Sequence, residues 1–369
     1  MTQANLYIGL ISGTSVDGVD CVLVEFDGKR PNLIASLFKP SSAKLRERIL
    51  HLCDGEEITL KMLGQTDTSI GHFFADAATE LLEVAKVPAS AVRAIGSHGQ
   101  TVWHQPDGRY PFTMQLGNPN IIAQQTGITV VGDMRGRDMA AGGEGAPLAP
   151  LLHRNVFHSQ NVDRAVINIG GISNLTVLPR EGACTAFDTG PGNVLMDYWI
   201  DKHRQQRYDK DGAWAASGQF NLGLLNALLD EPYFSRPLPK STGRELFNGR
   251  WLESRLGRGG MEIPAADVQA TLLTLTVTTI VRDLTRYCAP QEIYVCGGGA
   301  HNKTLMSELS KVASDISVTS TANLGVDPDW VEAIAFAWMA QQTVNGEKID
   351  TSAFTGAREP VFLGGIYQA

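Results

Sequence analysis

The stretch YIGLISGTSVDGVDCVLVEF, residues 7–26, holds two apolar runs around the loop SGTSVDG. Each run reads as a strand, so the stretch predicts a hairpin whose tip carries glycines, hydroxyls and an acid. Such a tip can bind phosphate, because successive backbone N–H groups make an anion nest and glycine permits close approach. The tip has no lysine and no helical pattern follows it. It is therefore neither the GxxxxGK[ST] loop nor the GxGxxG fingerprint. Asp17 would repel a bare phosphate and makes better sense holding hydrated Mg2+. An ordinary hairpin turn built on Asp-Gly fits the same residues.

A second hairpin, VINIGGISNLTVL at residues 166–178, repeats the pattern, and its IGGIS echoes IGLIS. Working outward, LYIGLIS, VDCVLVEF and NLIASLF predict three opening strands. Helices are predicted over 42–53 and 59–85, then a strand VRAIGSH and a short helix closed by Gly127. GDMRGRDMAAGGEGAPLAP, rich in Gly, Ala and Pro, predicts a mobile connection and a domain change near residue 130. Strands RAVINIG, NLTVLP and CTAFD then resume. Helices follow over 192–203, 220–229 and 267–287, the last with Asp267 as N-cap. EIYVCGGG is a strand running into a triple glycine, before helices over 303–312 and 329–342. Three strands and then alternating helices and strands occur twice. The repeat predicts two related α/β domains, 1–130 and 131–345, with 346–369 packing back on the first. The cleft between them is the expected place for a small molecule.

Composition narrows the partners. The chain has 369 residues, 43% hydrophobic and 19% charged, which is globular. A net charge of −8 disfavours nucleic acid or an anionic membrane as the main partner. No apolar run is long enough for a transmembrane helix, and MTQANLYIGL lacks a basic n-region, so a cytoplasmic protein without a signal peptide is expected. The five cysteines form no CxxC pair and the eight histidines no HxxxH or HxH spacing, against a zinc site.

Other motifs stand at predicted strand ends. Gly170 and Gly171 in GGISN would face the first hairpin, and two glycine turns can clamp opposite ends of a triphosphate. Gly297, Gly298 and Gly299 let a flat ring lie against backbone before a helix start that favours phosphate. Both also serve as plain turns. In AFDTGPGN, Asp188 ends a strand and can act as general base; a helix-capping role belongs more naturally to Thr189 or Asn193. SHGQTVWHQP offers His98, Gln100, Thr101 and His104, where local hydrogen bonding fits the histidines better than catalysis. Arg135 and Arg137 can grip a carboxylate or phosphate, or make surface salt bridges. YDKDG lacks the full spacing of a calcium loop.

SGTSVDGVD, SHGQTVWH, GDMRGRD, NIGGISNLT, FDTGPGN, DKDG, KSTGRELFN, CGGGAHN and EAIAFAWMA, in this order, resemble the anhydro-N-acetylmuramic acid kinase family of the actin/hexokinase/heat-shock ATPase superfamily. The resemblance implies two actin-like (ribonuclease H-like) α/β domains with mixed sheets around a central cleft, paired as a homodimer. It implies an enzyme of cell-wall recycling that takes 1,6-anhydro-N-acetylmuramic acid, ATP and water to N-acetylmuramic acid 6-phosphate and ADP. The matching positions imply Ser12, Gly13, Thr14, Ser15, Val16, Asp17, Gly18 and Val19 as the ATP phosphate loop, with Mg2+ at Asp17. They imply Gly170, Gly171 and Gly297–Gly299 around the rest of the nucleotide. Thr101, Arg135 and Glu332 would bind the sugar, Arg135 its lactyl carboxylate, and Asp188 would be the base. A plain sugar kinase of the same fold and an ATP-driven chaperone or filament protein are the rival readings. Turnover of an anhydro sugar separates the first, a peptide-binding domain or polymerisation with ATP the second.

Overall fold

The computed structural model describes residues 5–369 apart from 14, 29, 56, 239, 258–261 and 314–315. Its strands are β1 Leu6–Ser12, β2 Gly18–Asp27, β3 Arg30–Pro40, β4 Val92–Gln105, β5 Phe112–Leu116, β6 Val130–Gly132, β7 Arg164–Ile169, β8 Ile172–Leu178, β9 Thr185–Pro191, β10 Glu292–Cys296, β11 Ser317–Ser320 and β12 Gly365–Tyr367. The chain forms two compact units, Met1–Val156 with Trp330–Ala369, and Phe157–Asp329.

The first unit holds a sheet ordered β12-β6-β4-β1-β2-β3, with β5 beside β4. The second holds a sheet ordered β11-β10-β7-β8-β9. In both, the first three strands are antiparallel; β4 and then β6 in the first sheet, and β10 and then β11 in the second, continue from the opening strand in parallel. The shared order and sense are those of the actin-like, ribonuclease H-like frame, present here twice.

The helix Leu60–Ala85 forms as its periodicity predicts. Thr59 caps it by accepting the Met62 N–H, and Ile70, Phe74, Ala77 and Leu81 enter one core with Ile8, Leu10 and Leu23. The second core joins Ile167, Leu175, Phe187 and Val295 to Leu273, Val277 and Ile280 of the helix Ala265–Tyr287. That helix starts before Asp267, which is therefore not its N-cap; the Asp267 carboxylate instead accepts the Gln219 N–H at 2.9 Å.

The contact boundaries differ from those read in the sequence. Residues 131–156 and 330–345 pack with the first unit. The helix Val331–Val344 is buried along most of its length and lies on β1 and β4. Gly9 and Gly96, paired in register, make that possible: a Cβ on Gly9 would stand 1.9 Å from the Ala333 carbonyl oxygen, and one on Gly96 2.0 Å from that of Phe336. Sequence periodicity cannot reveal which sheet such an all-round apolar helix covers.

The Gly-, Ala- and Pro-rich segment after residue 132 is built structure rather than a mobile connection. It opens with the helix Met134–Ala140. The fully buried Asp138 carboxylate accepts from the Gly145 N–H at 2.8 Å, and from the Thr351 and Thr355 hydroxyls at 2.5 and 2.8 Å. These bonds compensate the desolvation of a buried acid. No helix among the described residues is long and apolar enough to cross a membrane.

Candidate active site

In the first unit the β1–β2 tip is held from behind. Gln100, buried at the bulge of β4 against β1, accepts the Ser12 hydroxyl at 2.5 Å and donates to the Gly13 carbonyl at 3.3 Å. Val16 takes a left-handed backbone (φ 56°) with its side chain in the core, and its N–H bonds the Gly13 carbonyl at 3.2 Å. Ser41 donates to the Val16 and Asp17 carbonyls. Val16 and Val19 are core residues, so only their backbones can serve a ligand. Gly18 answers to the protein: its Cβ would lie 2.4 Å from the Lys39 carbonyl oxygen. Gly13 does not; a Cβ there would meet no atom within 4 Å. Thr14 lies outside the described residues.

Asp17 accepts the Ser15 hydroxyl at 2.6 Å and is half-buried. Among the described residues no cluster of His, Cys, Asp and Glu forms an all-protein metal cage. A single carboxylate at this tip is a donor set that Mg2+ could use, since that ion keeps several waters and takes one or two carboxylates.

The same unit carries the three sugar candidates. Arg135 donates through Nε to His98 Nε2 at 2.8 Å and through Nη1 to the Gly145 carbonyl at 2.8 Å. His98 is buried, its ring 4.7 Å from that of Phe336. Burial, and then the Arg135 charge, hold its pKa well below the usual imidazole range. Glu332 lies exposed in the first turn of the helix Val331–Val344, four residues before Phe336 and so on the same helix face. Thr101 is half-buried on β4 and its hydroxyl accepts from Gln115 Nε2 at 3.2 Å. Arg137 lies two residues further along the same helix, exposed.

In the second unit, three glycine motifs meet. The turn Gly170–Gly171 is covered by residues 192–194, whose N–H groups take both turn carbonyls at 2.8–3.1 Å. Asn193 donates to the Ile169 carbonyl at 3.1 Å and stands 3.8 Å from where a Gly298 Cβ would be. Gly297 and Gly299 are dictated by the fold: their Cβ atoms would stand 2.4 Å from Asn168 Oδ1 and Ile169 Cγ2. Gly170 and the exposed Gly298 have no protein atom closer than 3.6 Å to such a Cβ.

Asp188 sits half-buried on β9, opposite Asn174 of β8. Its Oδ2 accepts the Thr242 N–H at 3.0 Å, its N–H bonds the Lys240 carbonyl at 3.2 Å, and its carbonyl accepts the Tyr233 hydroxyl at 2.7 Å. Burial first, then the Asp188 and Asp283 charges, raise the Tyr233 pKa, so the phenol remains a donor. Lys240 makes a wholly buried ion pair with Asp283 at 2.6 Å. Burial pushes the Asp283 carboxyl upward against the pull of Lys240. These supports were missed in the sequence, because their members lie 43–54 residues from one another. YDKDG serves structure: both Asp209 carboxylate oxygens accept backbone N–H groups, from Trp214 and Ala215, each at 2.9 Å.

A family model described as anhydro-N-acetylmuramic acid kinase matches residues 5–369. The anhydro-N-acetylmuramic acid kinase of Aliivibrio fischeri is 48% identical over 365 residues, 98% of this chain and 99% of that protein. The enzyme of the same name from Shewanella pealeana is 49% identical over 366 residues, 99% of each. Among solved structures, component A of the (R)-2-hydroxyglutaryl-CoA dehydratase of Acidaminococcus fermentans matches with a TM-score of 0.50 at 10% identity, over 92% of this chain and 99% of that one. That last likeness is one of fold.

Proposed function

The chain belongs to the anhydro-N-acetylmuramic acid kinase family, and on that premise we propose that this phosphotransferase opens 1,6-anhydro-N-acetylmuramic acid with water and phosphorylates its 6-oxygen from ATP. The products are N-acetylmuramic acid 6-phosphate and ADP, and the setting is cytoplasmic cell-wall recycling by a homodimer.

The observation that carries this reading is the mounting of Asp188, whose carboxylate is fixed by the Thr242 N–H at 3.0 Å while its main chain is held on both sides. An anhydro sugar has an ether at its 6-oxygen, so that oxygen has no proton for a base to remove. The base acts on water instead. Asp188 takes a proton as the water oxygen bonds to the anomeric carbon and the bond from that carbon to the 6-oxygen breaks. The 6-oxygen bonds to the γ-phosphorus, and the bond to the β–γ bridging oxygen breaks to release ADP.

The β1–β2 tip would meet the phosphates with backbone N–H groups and the Ser15 hydroxyl, where Gly13 leaves room. Gly170, Gly171 and Gly298 would line the remainder of the nucleotide. Asp17 would hold Mg2+, which neutralises phosphate charge when bound. Arg135, a permanent cation, would pair with the lactyl carboxylate, and Thr101 and Glu332 would bind the sugar hydroxyl and amide groups. Incubation with Mg-ATP and the anhydro sugar tests this. The expected product mass equals the sugar plus one water plus one phosphoryl group, with one ADP per product. ADP release with the sugar unchanged, or a phosphorylated sugar that has gained no water, contradicts it.

A further inference from the structure

We propose that His98 is a positioning residue that aims Arg135 and thereby helps select a muramic over a glucosamine sugar; this rests on the reading of Arg135 as the carboxylate partner. The guanidinium is always charged, so its Nε–H can only donate. His98 Nε2 therefore accepts, at 2.8 Å, which requires a neutral ring with its proton on Nδ1. The Gly99 carbonyl, 2.9 Å from Nδ1, accepts that N–H. The ring is buried, and Phe336 packs beside it at 4.7 Å. The other end of the guanidinium is held by the Gly145 carbonyl, and the N–H of Gly145 is itself held by the buried Asp138 carboxylate at 2.8 Å. Two bonds on different nitrogens fix the guanidinium plane. A carboxylate meeting a fixed plane can bond in parallel, and one meeting a swinging side chain must first immobilise it.

The consequence is specific to the carboxylate. 1,6-Anhydro-N-acetylglucosamine lacks the lactyl ether and has no group for Arg135. His98→Phe keeps a ring and removes the acceptor, while His98→Gln returns an acceptor oxygen near the Nε2 position. Dissociation constants for both anhydro sugars, measured by calorimetry on variants that melt like the parent protein, test the idea. His98→Phe is expected to weaken the muramic sugar by about tenfold and the glucosamine sugar by less than about twofold. His98→Gln recovers most of the loss. Equal weakening of both sugars, or no change in either, overturns the proposal. Arg135→Ala separates the two levels. If it discriminates between the sugars and His98→Phe does not, His98 alone is misassigned. If Arg135→Ala weakens both sugars alike, the carboxylate reading of Arg135 fails, and the role of His98 with it.

Discussion

Two hairpin tips occupy the same place in two sheets of the same strand order, yet they are built differently. The β1–β2 tip spans residues 13–17 and keeps a carboxylate, Asp17, bonded to Ser15. The β7–β8 tip is the bare pair Gly170–Gly171, and residues 192–194 consume its carbonyls. One tip carries side-chain chemistry of its own; the other offers mainly backbone and borrows Asn193 and the triple glycine around it. The helix contacts differ in the same sense. At Gly9 and Gly96 the first sheet meets a helix at backbone distance, whereas the second sheet keeps a layer of Ile167, Phe187 and Val295. A duplicated frame thus fixes where loops emerge, and local residues decide what each loop can do.

The sharpest way to break the comparison is at the acid found only in the second unit's strand β9. Asp188→Asn is expected to lower turnover by roughly 10^3-fold while melting near the parent protein, since the amide still accepts from Thr242. Turnover within about tenfold of the parent would remove Asp188 as the base. Next comes packing. Gly96→Ala is expected to cost about 3 kcal/mol in chemical denaturation, because neither helix nor sheet backbone can move aside. Ile167→Val in the other sheet should cost about 1 kcal/mol. Equal costs would mean that the two sheets meet their helices alike.

A pH titration of stability separates the units further. His98 and His153 are the buried histidines among the described residues, and both lie in the first unit. Burial lowers both, His153 to about 3. The unfolded chain takes up a proton near pH 6.5 and the native sites do not, so their stabilisation is present above that pH and lost as pH falls. Between pH 7.5 and 5.5 each should cost about 1.4 kcal/mol of stability. His153→Phe should flatten the slope by that amount; an unchanged slope would contradict a neutral His153. The last comparison is between the tips themselves. Gly13→Ala and Gly170→Ala should each weaken ATP about tenfold, near 1.4 kcal/mol, with melting temperature unchanged, because no protein atom opposes either methyl closer than 3.6 Å. Loss at one tip only would show that only that tip approaches the nucleotide.

Much of the frame was legible because it rests on local periodicity. The alternation of β1 and β2, the repeat at β7 and β8, and the capped helix from Thr59 all follow from neighbours in sequence. The positions of Gly170–Gly171, Asn193 and Gly297–Gly299 could be guessed as loops, and the structure brings them together. What was not legible depends on distant partners. Gln100 behind the first tip bonds a residue 88 positions away, and Asp138 orders its glycine-rich loop through hydroxyls 213 and 217 positions on. Glycine and proline content resembles that of a flexible linker, although one buried acid turns the segment into a rigid cradle for Arg135. The helix Val331–Val344 is apolar on nearly every face, so its pattern cannot say which sheet it covers.

The most direct test of ring opening coupled to phosphoryl transfer uses water enriched in heavy oxygen. The enzyme is given Mg-ATP and 1,6-anhydro-N-acetylmuramic acid and quenched early, before the anomeric hydroxyl exchanges. Heavy oxygen on the anomeric carbon, with none in the phosphate, is the predicted result. Label confined to free phosphate, with the sugar intact, would contradict it and leave an ATPase whose acceptor is some other molecule.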